Sequence, residues 1–355
     1  MTARRTPASL PPPRHASPAS MLRAAASAAA LLAAALLAPA ALAAAQPPAA
    51  TSRSAAAVQL CDRAIAGAAY PDARANAQAA AADGNTAASA FARGCLLMGE
   101  KTYDKAADEF ERAAEAEPNN AAYHFELGQA YGARALRANP LKQALLARKV
   151  KAEFERAVQL DPDLVEAREG LATYYLVAPG IMGGNPDRAR AEADEIRRRN
   201  AYRGGLVATQ IAYRRKDLPG AERELEALIR QHPDSVYPYT VLATGYEQQK
   251  RWPEAWGVIE RLLAAAPNAP AAQYAVGRLA QESGQQLDRG AAAFQRYLQS
   301  GPPRPGAPPL ANAHLRLGGI YEQQGKKDAA RAEYDAAFKL DPKLAGAREG
   351  LERTR

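Results

Sequence analysis

The chain has 355 residues, of which 46 are lysine or arginine and 38 are aspartate or glutamate, for a formal net charge of +8. The first 45 residues contain four of the basic residues and none of the acidic ones, which leaves the remainder with a net charge of +4. Such a mixed-charge surface does not predict a nucleic-acid footprint. The alanine-rich composition, with 6% aromatic residues, favours helices.

Residues 1–45 have the layout of a secretory signal peptide. From Met21, an alternative start site, a basic residue precedes a run of alanine and leucine, and small residues permit cleavage after Ala43 or Ala45. A retained transmembrane anchor is the alternative, but alanine is weakly apolar and Pro39 interrupts the run. We therefore expect a periplasmic or secreted protein with no integral membrane span after cleavage.

Residues 46–54 are rich in proline, alanine and serine and predict a flexible lead-in. From residue 55 to residue 355, short amphipathic helices recur in pairs. The clearest pair spans residues 311–344 and carries small, aromatic and proline residues at fixed offsets. These residues are Leu317, Gly318 and Tyr321 on the first helix, Ala330, Tyr334 and Ala337 on the second, and Pro342 after it.

This pattern resembles the tetratricopeptide repeat, in which L-G-x-x-Y, A-x-x-x-F and a proline recur with a period of 34 residues. The resemblance extends over about residues 55–355. It implies an all-α fold, a right-handed α-solenoid of about eight helix-turn-helix pairs. The last residues, from Lys343 to Arg355, predict a C-terminal capping helix with a polar outer face.

Two neighbouring units depart from the period, with insertions near residues 133–149 and 178–184. Asn139-Pro140 is a cap-and-proline signal for a long helix that ends near Leu160. Insertions in adjacent units emerge along the same edge of a solenoid. Ile181 and Met182 in the second insertion are therefore candidates for docking a partner's apolar residue. The alternative is that they pack onto the long helix.

The sequence contains no constellation that predicts catalysis. None of the four histidines has a second ligand at metal spacing, and the glycine-rich residues 179–184 lack the phosphate-loop order. We therefore predict no cofactor, no metal and no enzymatic activity. The two cysteines, Cys61 and Cys95, stand at nearly equivalent positions in neighbouring units. An oxidising compartment favours a disulfide between them, and two buried thiols are the alternative.

The resemblance implies a concave groove lined by the first helix of each unit. Template offsets predict that candidate partner-binding residues line it: Phe125, Gln129, Glu166, Glu169, Thr173, Arg203, Gln210, Tyr237, Thr244, Tyr274 and Arg278. The lysine–asparagine clamp with which some members bind acidic C-terminal peptides is absent from these positions. We expect a non-catalytic protein–protein interaction scaffold of the bacterial cell envelope, binding a peptide or helix of a protein partner. The alternative is a small-ligand carrier or enzyme with a pocket at the two insertions.

Overall fold

The computed structural model describes residues 52–67, 70–300 and 307–355. The predicted leader and most of the predicted lead-in lie outside these residues. The described residues form seventeen α-helices and no strand. The helices are α1 (Arg53–Ala66), α2 (Pro71–Ala82), α3 (Ala87–Gly99), α4 (Tyr103–Ala116), α5 (Ala121–Ala135), α6 (Pro140–Leu160), α7 (Val165–Val177), α8 (Pro186–Arg199), α9 (Ala201–Arg214), α10 (Leu218–Gln231), α11 (Val236–Gln248), α12 (Trp252–Ala265), α13 (Pro270–Ser283), α14 (Leu287–Gln299), α15 (Leu310–Gln323), α16 (Lys327–Leu340) and α17 (Ala345–Arg353).

Helices α1 to α16 form eight consecutive pairs, and each pair packs on the next. Helix α17 lies against α15 and α16 and closes the stack, as the predicted capping helix requires. The buried apolar residues form two main clusters, one from Ala55 to Ile211 and one from Leu225 to Ile320, and a small third cluster contains Tyr202, Leu206 and Leu228. The sequence-based prediction of an all-helical solenoid is confirmed.

Close approach of glycine and an aromatic ring holds the two helices of a pair together. A Cβ added at Gly128 would lie 2.6 Å from the ring of Phe154, and one at Gly318 would lie 2.7 Å from Tyr334. Such distances are too short for any side chain, so only glycine fits. The same contact recurs between Gly94 and Phe110 and between Gly277 and Phe294. This is the physical reason for the recurring small and aromatic positions.

The first insertion lengthens one helix. Helix α6 begins at Pro140, and the Asn139 side chain accepts a hydrogen bond from the backbone N–H of Lys142. Its 21 residues make it the longest helix described. The second insertion forms a short 3-10 helix, Gly180–Met182, that contacts α6. Asn185 then caps α8 in the same way, with Pro186 in its first turn.

No helix in the described ranges combines the length and hydropathy that a bilayer crossing demands.

Candidate functional site

The groove candidates lie on the first helices α5, α7, α9, α11 and α13, as predicted, but their environments differ. Gln129 and Thr173 are half-buried, whereas Gln210 and Tyr237 are exposed. Phe125 is buried in the core, with its ring centroid 5.8 Å from that of Phe154. Phe125 is therefore a packing residue, and the prediction that it is an exposed groove anchor is wrong.

Three of the candidates bind one another. The Arg203 guanidinium on α9 donates to both carboxylate oxygens of Glu169, at 2.7 and 2.5 Å, and to Glu166 at 2.5 Å. Both carboxylates belong to α7, so this ion-pair cluster joins the first helices of two consecutive units. The paired, bidentate geometry is the strong form of an arginine–carboxylate contact. These side chains therefore stabilise the groove wall and are not free donors or acceptors.

Two further acids, which the sequence analysis did not identify, lie beside this cluster. Helix α1 packs against α5 as well as against α3, and this brings Asp62 close to Glu126 and Glu166. Burial, reinforced by the carboxylates of Glu166 and Glu169, raises the pKa of Asp62 to about 7. Burial, together with Asp62 and Glu166, also raises the pKa of Glu126 well above its ordinary value. Glu126 is 1% exposed, and its Oε1 has no hydrogen-bond partner among the described residues.

The raised pKa of Asp62 predicts a pH-dependent stability. Between the ordinary value of 3.8 and about 7, the folded protein keeps a proton that the unfolded chain releases. This contribution is therefore fully present at low pH and is lost as the pH rises toward 7, with a slope of about 1.4 kcal/mol per pH unit. Asp62→Asn should remove the Asp62 contribution to the slope, so that the variant exceeds the wild type in stability at pH 8 more than at pH 4.5.

Urea unfolding at several pH values measures this difference. The exposed Asp72 on α2 supplies the control, since Asp72→Asn should leave the pH profile unchanged. Parallel profiles for the wild type and Asp62→Asn would contradict the assignment.

A cavity of about 770 Å³ opens on the groove side of α11 and α13. It brings together four of the predicted residues, Tyr237, Thr244, Tyr274 and Arg278. The sequence analysis did not identify the apolar part of its lining: Tyr213, Leu218, Val236, Val241, Ala271, Ala275, Ala307 and Pro308. Ala307 and Pro308 come from the proline-rich joint before α15, so only the folded chain reveals their place in this wall.

Arg278 is the charged residue in the wall of this cavity. Its Nη2 donates to Thr244 Oγ1 at 2.6 Å and to Glu247 Oε1 at 3.2 Å. Burial raises the pKa of Glu247, and Arg278 opposes that rise. The Nε–H of Arg278 is buried and has no acceptor within the described residues. The cavity therefore combines an apolar, tyrosine-rich wall with a cation whose hydrogen-bonding capacity is incompletely used.

Two histidines at the same repeat position make the same contact. His124 Nδ1 lies 2.6 Å from Glu153, and His314 Nδ1 lies 2.6 Å from Glu333. The hydrogen bond to Glu153 raises the pKa of His124. In both units the partner acid lies on the second helix of the pair, which indicates a repeated structural contact.

The two cysteines are joined. The structure contains a disulfide between Cys61 on α1 and Cys95 on α3, with a Cα–Cα distance of 5.3 Å. Both residues are buried. The bridge ties α1 to the neighbouring pair, and it fixes the helix that carries Asp62. Among the residues that the structure describes, no group of three or more histidine, cysteine or acidic side chains is placed to hold a metal ion.

The insertion edge, residues 133–149 and 178–184, presents apolar side chains to solvent. Ile181 is 93% exposed, so it does not pack onto α6. Met182 is half-buried, and its carbonyl oxygen accepts a hydrogen bond from the Tyr174 hydroxyl. Neither the groove cavity nor a second cavity of about 470 Å³ near Arg53 is lined by residues of this edge.

The described helices define the class of the protein, a solenoid of stacked helix pairs with a glycine–aromatic contact inside several of the pairs. Tetratricopeptide repeat family models match residues 311–344 and residues 91–134, 206–270 and 240–308. The chain belongs to the tetratricopeptide repeat family.

Solved structures match this chain at low sequence identity, and one of them, yeast Tom70, has a TM-score above 0.5. Yeast Tom70 is 13% identical, with a TM-score of 0.54, and the match covers 94% of this chain and 73% of Tom70. A tetratricopeptide repeat protein from Parabacteroides merdae is 16% identical, with a TM-score of 0.46. The match covers 76% of this chain and 99% of the Parabacteroides chain. Pseudomonas aeruginosa pilF is 16% identical, with a TM-score of 0.43, and the match covers 66% of this chain and 97% of pilF. A search of curated protein sequences found no match.

Proposed function

We propose that the protein is a non-catalytic scaffold of the bacterial cell envelope that binds an extended peptide segment of a protein partner in its groove. The observation that carries the proposal is the cavity between α11 and α13, where Tyr237, Tyr274 and Arg278 converge. Tyrosine and arginine in a recessed site are typical anchors of a protein interface. The predicted leader and the disulfide support a location in the cell envelope.

The lining defines the chemistry of the segment that this cavity accepts. Val236, Val241 and the tyrosine rings favour a large apolar side chain, which a cavity of about 770 Å³ accommodates. Arg278 favours a peptide carbonyl or a carboxylate beside that side chain. We therefore expect the bound segment to carry a bulky apolar residue next to an acidic residue.

Selection from a random dodecapeptide library tests this specificity, because a random library samples every apolar–acidic pair. We expect the enriched peptides to share such a pair and to bind the purified protein with a measurable Kd. Tyr237→Ala removes a half-exposed wall residue and should weaken binding by about 2 kcal/mol, or about thirtyfold in Kd. Fluorescence anisotropy with a labelled peptide measures this change.

Tyr70 provides a matched control, because its exposure of 43% is close to the 45% of Tyr237. Tyr70 belongs to the N-terminal pair and lies outside the cavity. Tyr70→Ala should bind the selected peptides like the wild type. Equal losses for the two variants, or enriched peptides without any shared apolar residue, would count against the proposal.

A small-ligand carrier is the second candidate function, and the cavity supports it as well. Its volume lies within the range of about 300–1,000 Å³ that is usual for small-molecule sites. The cavity lies in the groove and not at the insertions, so this candidate differs in place from the sequence-based alternative. If the library yields no binding peptide, a small apolar molecule that raises the Tm of the wild type but not that of Tyr237→Ala would favour the carrier.

A further inference from the structure

Exposed apolar side chains are concentrated at the insertion edge. Leu141 is 76% exposed and Leu145 is 58% exposed, and they stand four residues apart on one face of α6. The fully buried residues of α6 begin at Val150, and Leu146 and Ala147 before it pack against the core, so Leu141 and Leu145 lie on the solvent-facing side of its first turns. Ile181 protrudes from the adjacent 3-10 helix, which contacts α6.

The two insertions are close enough to act together. A Cβ added at Gly183, directly after the 3-10 helix, would lie 3.9 Å from Cδ of Lys151. Leu145 precedes Lys151 by six residues, which is about 9 Å along a helix axis. Leu145 and Ile181 therefore lie at the same edge of the solenoid, and Leu141 lies one turn of α6 beyond Leu145.

The first insertion and its flanking residues are rich in basic side chains. Residues 127–152 contain six lysines or arginines and no acidic residue. Arg134, Lys149 and Lys151 have acidic partners at 2.8, 3.6 and 3.5 Å. In contrast, no ion pair within the described ranges includes Lys142, which lies between the two leucines, or Arg148, which follows them.

We propose that the insertion edge docks the protein onto the surface of an anionic phospholipid bilayer. Leu141, Leu145 and Ile181 enter the boundary between headgroups and acyl chains, and Lys142 and Arg148 pair with lipid phosphates. Protruding apolar tips beside unpaired cations are the features of interfacial membrane binding. The anchor residues of a protein partner usually fill pockets, and neither described cavity lies at this edge. A bilayer needs no pocket, because its headgroups and acyl chains adapt to a protruding surface. The groove remains free for its peptide.

Co-sedimentation with phospholipid vesicles tests the proposal. Vesicles of phosphatidylcholine with about one-third phosphatidylglycerol should bind at least about tenfold more protein than phosphatidylcholine vesicles, and high salt should abolish the difference. The apolar variant, Leu141→Ser with Leu145→Ser and Ile181→Ser, and the charge variant, Lys142→Glu with Arg148→Glu, should each bind at least about tenfold less. The exposed Leu340 supplies the control variant, Leu340→Ser, which should bind like the wild type.

The wild type and the variants carry the same N-terminal segment, so vesicle binding by that segment contributes equally to all of them and does not affect the difference between them. Because the altered side chains are exposed, circular dichroism should give the same Tm for every variant. Equal binding to neutral and anionic vesicles, or equal binding by the wild type and both edge variants, would overturn the proposal. Loss of a protein partner in the edge variants, with vesicle binding absent in the wild type, would also overturn it.

Discussion

Replacing Arg203 with methionine is expected to lower the free energy of unfolding by about 3–5 kcal/mol. The substitution keeps much of the apolar volume but leaves the carboxylates of Glu166 and Glu169 without their shared partner. Removing one member of a poorly solvated ion pair strands the remaining charge, and that penalty exceeds the net worth of the pair. Urea unfolding at neutral pH, monitored by circular dichroism, measures the loss.

Two further variants test whether the stranded carboxylates cause the loss of stability in Arg203→Met. Arg198 pairs with Glu195 on the exposed surface of α8, so Arg198→Met should cost less than about 1 kcal/mol. Adding Glu166→Gln and Glu169→Gln to Arg203→Met should restore much of the lost stability, because the stranded charges disappear. Similar costs for Arg203→Met and Arg198→Met would refute the assigned role of the cluster.

Removal of the disulfide is expected to destabilise the N-terminal pair by about 3–4 kcal/mol, since the bridge closes a long loop of the unfolded chain. The two cysteines are 34 residues apart in sequence. Cys61→Ala with Cys95→Ala should therefore unfold α1 and α2 at a lower urea concentration than the rest of the solenoid. Hydrogen exchange resolved along the chain locates this early transition.

Thiol chemistry provides the control for the disulfide prediction. Wild-type protein produced in an oxidising compartment and denatured without reductant should contain no titratable thiol. Reductant should lower the stability of the wild type to that of the double alanine variant and should not affect the variant. Two reactive thiols in the unreduced wild type would contradict the bridge.

The repeat architecture could be predicted because each element depends on nearby residues. Asn139 and Pro140 specify the start of α6 by their own capping chemistry, and Gly318 and Tyr334 meet within one helix pair. The positions of such residues follow from local periodicity alone. For the same reason, the helices that carry the groove candidates could be identified from template offsets.

The environment of the candidates could not be predicted, because it depends on contacts between distant segments. Glu126 meets Asp62 only because α1 packs across α5, and in α5 eleven of fifteen residues are buried. The same crowding places Phe125 in the core. The single acidic residue in the largely apolar stretch AAYHFELGQAY was the one sequence signal of this cluster. The cavity wall also depends on Pro308, which follows a joint with no periodic pattern.

Photo-crosslinking tests most directly whether the cavity between α11 and α13 binds a peptide segment. A benzophenone-bearing amino acid is introduced at Thr240, in the cavity wall, or at Arg261, on the second helix of the same pair and outside the cavity. Each protein is irradiated with a library-selected peptide, and mass spectrometry identifies the attachment site. We predict efficient crosslinking at position 240 and background crosslinking at position 261. Crosslinking at position 261 that equals or exceeds that at position 240 would contradict the claim.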